Sequence, residues 1–138
     1  MKKLIPIALL ALVLISSCKE DDTPDTTKTE TTAEKIQHTW NITSIMDYNF
    51  VGASTTLDYI DTFDLGTNAT IDFRTNNKAY VNFDGDMDTT DYQIVNDQTI
   101  NFDGDVFTIN TLTATEFKLT YAERTDTPYY DNVLIMNR

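Results

Sequence analysis

The sequence predicts an all-β fold over residues 33–138: a small antiparallel up-and-down barrel of about eight strands, preceded by a short helical turn. Three observations carry this reading. From Ala33 onward, short runs of β-branched and aromatic residues alternate with polar ones at a period of two. The breaks between runs are a few residues long and rich in Asn, Asp and Gly, so neighbouring strands join through hairpins and pair antiparallel. Eight or nine such strands hide both sheet edges by closing into a barrel lined by the apolar parity. A β-sandwich made from the same strands is the alternative arrangement.

The first element is helical. Thr31-Thr32-Ala33-Glu34 forms a Thr-x-x-Glu capping box, which opens one or two turns ending near Gln37. In the run that follows, Trp40, Ile42, Met46 and Tyr48 share one parity, and Asn41, Thr43 and Asp47 the other. The segment Leu57–Leu65 is a less regular strand. Ala69, Ile71 and Phe73 then lead through Thr75-Asn76-Asn77-Lys78 to Ala79, Val81 and Phe83, a hairpin pattern. Tyr92 and Ile94 precede a break at Asn96-Asp97, and Ile100 and Phe102 follow it. Phe107 and Ile109 come after Asp103-Gly104-Asp105, then Phe117, Leu119 and Tyr121, and Leu134 and Met136 close the chain.

Ahead of this domain stands an address. The chain has 138 residues, and Lys2 and Lys3 open it before an uncharged apolar stretch from Leu4 to Ile15. That stretch is shorter than the roughly 20 residues needed to cross a bilayer, so residues 1–17 read as a secretory signal peptide. Cys18 is the only cysteine and has no intramolecular disulfide partner. Residues 18–32 are acidic and Thr-rich, with no apolar side chain except Pro24 up to Thr32, and read as a flexible tether.

Composition limits the function classes. The formal net charge is −12, which argues against nucleic acid as a partner, since nucleic-acid binders rely on Lys and Arg to release counterions. One Cys and one His exclude a structural zinc site and a disulfide framework. Catalysis has little to work with. His38 stands just before Trp40, where the chain enters the barrel, and no pair stands out among 22 acidic residues, so no enzyme activity and no cofactor are expected.

Asp84-Gly85-Asp86-Met87-Asp88 begins like a calcium loop, but its sixth position is Thr89 and its twelfth Val95, where Gly and Glu are required. Asn101-Phe102-Asp103-Gly104-Asp105 repeats Asn82-Phe83-Asp84-Gly85-Asp86. Two type I′ hairpin turns, whose central residues need positive φ, account for both copies without a metal.

Two resemblances add to this. Ile15-Ser16-Ser17-Cys18 resembles the lipobox of bacterial lipoproteins, which implies cleavage before Cys18 and its acylation. Lys19-Glu20-Asp21-Asp22 beside it looks like the surface-export signal of Bacteroidetes lipoproteins. An outer-membrane lipoprotein, lipid-tethered, is the implied location; display at the cell surface is one reading of these charges, and a periplasm-facing anchor whose charges keep the tether solvated and extended is the other. The helical turn, Trp40 at the start of the first strand, about eight hairpin-linked strands and Arg138 on the last resemble the small lipocalin-like domains of Bacteroidetes lipoproteins. In the lipocalin pattern a Gly-x-Trp opens strand one, where this chain has His38-Thr39-Trp40. The resemblance implies that Arg138 packs over Trp40 and closes the barrel floor.

The expected function is noncatalytic binding of a small apolar or amphipathic ligand in the barrel mouth. Trp40, Tyr92, Phe107, Phe117 and Tyr121 are the candidate lining residues. The alternative is a filled barrel that contacts partners through exposed loops at Asp84–Thr90 and Thr125–Asp131, with Tyr129 and Tyr130 as contact residues.

Overall fold

Helix α1 (Thr32–Ile36) begins where the capping box places it. Glu34 N–H donates to Thr31 Oγ1 at 3.2 Å, and Thr31 N–H donates to Glu34 Oε2 at 2.8 Å, so two otherwise unpaired amides at the helix start are satisfied. The boundary expected at residue 33 therefore falls inside the helix. The computed structural model describes residues 29–63, 65 and 68–138. The segment read as a signal peptide, Cys18 with its expected acylation, and most of the segment read as a tether lie outside these residues.

Nine strands follow: β1 (Thr39–Phe50), β2 (Leu57–Phe63), β3 (Ala69–Phe73), β4 (Lys78–Phe83), β5 (Asp86–Asn96), β6 (Thr99–Phe102), β7 (Asp105–Leu112), β8 (Glu116–Glu123) and β9 (Tyr130–Asn137). From β3 onward each strand pairs antiparallel with the next, and β9 returns to pair with β1. Eight strands thus form one closed antiparallel barrel, and the sandwich arrangement is excluded. β2 is the ninth. It pairs with Ile45–Phe50 of β1, whereas β3 pairs with Thr39–Asn41, so β2 and β3 succeed each other along one side of β1. The end carrying α1 is the base, and the end carrying the β4–β5 and β6–β7 turns is the mouth.

The turns at the mouth have the expected chemistry. Asp84 and Gly85 sit at φ 50° and 103°, and Asp103 and Gly104 at 56° and 91°. Asp tolerates the left-handed region and Gly enters it freely, so each Asp-Gly pair closes its hairpin without strain. The segment Asp84–Thr90, expected to be an exposed loop, is a loop only at Asp84-Gly85, since β5 starts at Asp86. His38, which stands in place of the glycine of the lipocalin pattern, is not among the positive-φ residues, so that position does not require glycine here.

One correction concerns parity. Ile42 faces Met136 across the β1–β9 pair, yet Ser44 faces Ile135, so Thr43 is an extra residue, a β-bulge. Its hydroxyl donates to the Ile135 carbonyl at 3.0 Å. Side chains alternate strictly along a strand, so one extra residue exchanges the faces of everything beyond it. Trp40 and Ile42 point inward as the sequence suggests. Beyond the bulge, Ile45, Asp47 and Asn49 oppose the inward residues Leu134, Asn132 and Tyr130, and Met46 and Tyr48 turn outward.

The base is packed solid. Trp40, Phe73, Phe117, Ile36, Ile100, Leu119 and Met136 are fully buried there. The Trp40 indole N–H donates to the Ile36 carbonyl at 2.9 Å, which pins α1 under the barrel. Arg138 lies over the same indole with Cζ 5.0 Å from the ring, and its Nε donates to the Ala114 carbonyl. First strand, last strand and helix therefore converge on one side chain. Trp40→Ala is expected to cost about 3–5 kcal/mol of stability through the cavity it leaves. Arg138→Ala should cost only about 0.5–1 kcal/mol, because the guanidinium is exposed and the cation–π contact is its main contribution. Equilibrium denaturation of the two variants checks both magnitudes.

Candidate ligand-binding site

Above the packed base the interior opens. A cavity of about 400 Å³ lies in the mouth half of the barrel and communicates with solvent. Its apolar walls are the inward residues of six strands, with Ile45 from β1, Ile71 from β3, Val81 from β4, Phe102 and Phe107 from β6 and β7, and Leu134 from β9. Its rim is mixed. Phe83 and Met87 are exposed there beside Asp86, Asp88 and Asp103.

The register explains the carboxylates. Val81 opposes Asp88 and Phe83 opposes Asp86, so both aspartates share the inward face of β5 with Thr90 and Tyr92. Along that strand the inward side chain changes from buried aromatic at the base to carboxylate at the mouth. Asp103 reaches the same place from the β6–β7 turn, where its Oδ1 accepts from Thr90 Oγ1 at 2.5 Å. On the facing wall the bulge turns Asp47 inward, and Asn132 Nδ2 donates to it at 2.6 Å. Among the described residues, no group of three His, Cys, Asp or Glu side chains is arranged to hold a metal ion.

Aromatic rings run from base to mouth without interruption: Trp40, Phe117, Phe73, Phe102, Phe107, Tyr121 and Tyr130, with successive centroids 5.3 to 6.2 Å apart. This column places each expected lining residue. Trp40 and Phe117 belong to its solid lower part, and neither touches the cavity. Tyr92 is also at the base, 3% exposed, with its hydroxyl donating to the Arg74 carbonyl at 2.7 Å. Burial holds its phenol above the usual tyrosine range, with a smaller opposing effect from Gln37. Phe107 lines the cavity. Tyr121 stands against Phe107 at 5.6 Å, beside the cavity and outside its lining.

Five further apolar wall residues, Ile45, Ile71, Val81, Phe102 and Leu134, join Phe107 in lining the cavity beyond the set the aromatic pattern suggests. Parity with Trp40, Tyr92 or Phe107 would have found most of them, but the Thr43 bulge hides Ile45. Asp86 and Asp88 also share the parity of Tyr92, a relation that the turn chemistry of the neighbouring Asp-Gly pair conceals.

Compared with known proteins, the chain matches no protein-family model and no curated protein. The closed barrel, its short helix and the Trp40–Arg138 contact are compatible with a lipocalin-like fold.

The far side of the mouth is held by Glu123. Its carboxylate accepts from the side chain and backbone of Thr125, both at 2.5 Å, and from Tyr121 Oη at 2.9 Å. These bonds, the Thr125 hydroxyl first, pull the Glu123 carboxyl down to about 2, and the bond to Glu123 pushes the Tyr121 phenol up to about 12. A carboxyl held below its unfolded value of 4.5 stabilises the fold fully above that pH, and the stabilisation is lost as pH falls toward 2. Glu123→Gln should therefore flatten the pH dependence of unfolding between those limits, measured by acid-range urea titration. The same variant should bring the absorbance-monitored ionisation of Tyr121 down toward the ordinary value of 10.0.

Proposed function

We propose that this chain is a lipid-anchored, exported protein whose lipocalin-like barrel binds a small apolar or amphipathic ligand in its mouth without catalysing a reaction on it. The observation that carries the reading is the cavity. At about 400 Å³ it falls within the roughly 300–1,000 Å³ of small-molecule sites, and like them it is mostly apolar with a few polar groups at one side. A domain this small gains stability by filling its interior to high density, as the base does. An opening above that base, kept apolar and reachable from solvent, is the signature of a binding function. The placement of His38 supports a noncatalytic role, since the side chain is exposed at the base, away from the cavity.

Two measurements test the proposal. In calorimetry the full chain should bind 1-octanol, and Val81→Trp, which puts an indole into the cavity, should weaken that binding by roughly tenfold or more. A folded Val81→Trp protein that binds octanol as tightly as the parent overturns the reading. For the anchor, which rests on Lys2, Lys3, the apolar stretch and the lipobox resemblance at Cys18, intact-mass measurement of membrane-extracted protein should show an acylated chain beginning at Cys18. Cys18→Ala protein that remains fully membrane-bound would contradict it.

A further inference from the structure

The binding reading leaves the polar end of the ligand open, and the rim of the cavity has a chemistry of its own. Below, the walls are hydrocarbon and aromatic; above, the charged side chains lining the cavity are Asp86, Asp88 and Asp103, with no Lys, Arg or His among the described lining residues. The asymmetry continues around the opening. Asp47 on β1 opposes Asp61 on β2, and Asp105 on β7 falls in inward register at the mouth, next to Asp103 and Gly104. Directly opposed like charges destabilise a strand pair, so the fold carries these carboxylates at a cost. Among the described residues, the basic group near the mouth, Arg124, is taken. It donates to Asp131 and to the carbonyls of Glu123 and Tyr130, and it lies over the rings of Phe50 and Tyr129.

We infer that the cavity selects amphiphiles with a cationic head, an apolar body entering between Val81, Phe102, Phe107 and Leu134 and an ammonium group resting at Asp86, Asp88 and Asp103. This deepens the binding reading above and rests on it. Three physical effects point the same way. Carboxylates around a low-dielectric opening focus a negative potential that attracts cations and repels fatty-acid-like anions. The exposed ring of Phe83 at the rim offers a face to an alkylammonium. Among the described residues these carboxylates are not arranged as a chelating group, which suits a diffuse organic cation and not a divalent ion.

The experiment compares three probes with one tail, octylammonium, 1-octanol and octanoate, on the full chain by calorimetry at low and moderate salt. Only binding lost in Val81→Trp is counted, which restricts the comparison to the cavity. Octylammonium should bind roughly tenfold more tightly than octanol at low salt, with the advantage shrinking as salt screens the rim, and octanoate should bind most weakly. Asp86→Asn, Asp88→Asn and Asp103→Asn combined should bring the octylammonium-to-octanol ratio close to one. Asn keeps the size of each side chain and tolerates the positive φ at position 103. Glu116→Gln, which removes one charge at the base, should leave the ratio as it is. If octanol binds but octylammonium is no tighter, if octanoate matches octanol, or if the triple variant keeps the preference, the inference is overturned and the binding reading stands. If octanol and octylammonium both fail to show cavity-dependent binding, the binding reading falls and takes the inference with it.

Discussion

The barrel depends on one side chain, the indole of Trp40. A closed sheet exists only if its first and last strands meet in a single register, and no local turn links β1 to β9 to set it. Trp40 supplies a fixed point. Its N–H is committed to the Ile36 carbonyl, one face of its ring lies under Arg138, and Phe117 packs against it at 5.3 Å. A buried indole with its donor satisfied and both neighbours in place has one low-energy position. That position ties the helix, the start of β1 and Arg138, just beyond the end of β9, together at the base. The register that follows sets Ile45 opposite Leu134 and Asp47 opposite Asn132, and so determines which groups line the cavity.

The architecture was legible because hairpin-linked strands announce themselves locally. Period-two runs such as Ala69-Ile71-Phe73 and Ala79-Val81-Phe83, the Asp-Gly pairs at 84–85 and 103–104 and the capping box at Thr31 each work over a few residues, and the structure uses each one. What escaped the sequence is of two kinds. The bulge at Thr43 depends on the count of residues in β9 relative to β1, a relation across some ninety positions that no local pattern records. The height of a side chain along the barrel axis is likewise invisible to parity. Trp40, Tyr92 and Phe117 face inward just as Phe107 does, but they lie in the closed half, where inward aromatics fill the interior and line nothing.

The same limit explains how the carboxylate rim was missed. Asp-rich segments between apolar runs read as turns because Asp favours them. In β5, however, Asp86 and Asp88 continue the inward face that Tyr92 begins. Near an opening an inward position is wet, so polar residues are tolerated there and acquire a role through the company they keep. The gradient along this strand, from buried phenol to solvated carboxylate, is how one barrel combines a well-packed lower half with an accessible upper one.

Both ends of the described chain leave from the same pole of the molecule. Thr32 of α1 is held to Asp97 in the β5–β6 turn, and Arg138 is held to Ala114 in the β7–β8 connection, both opposite the Asp-Gly turns. A fluorophore or surface linker attached at either end of the described residues therefore leaves from the plugged pole. Immobilised through its ends, the protein would stand with its opening turned toward the bulk solution.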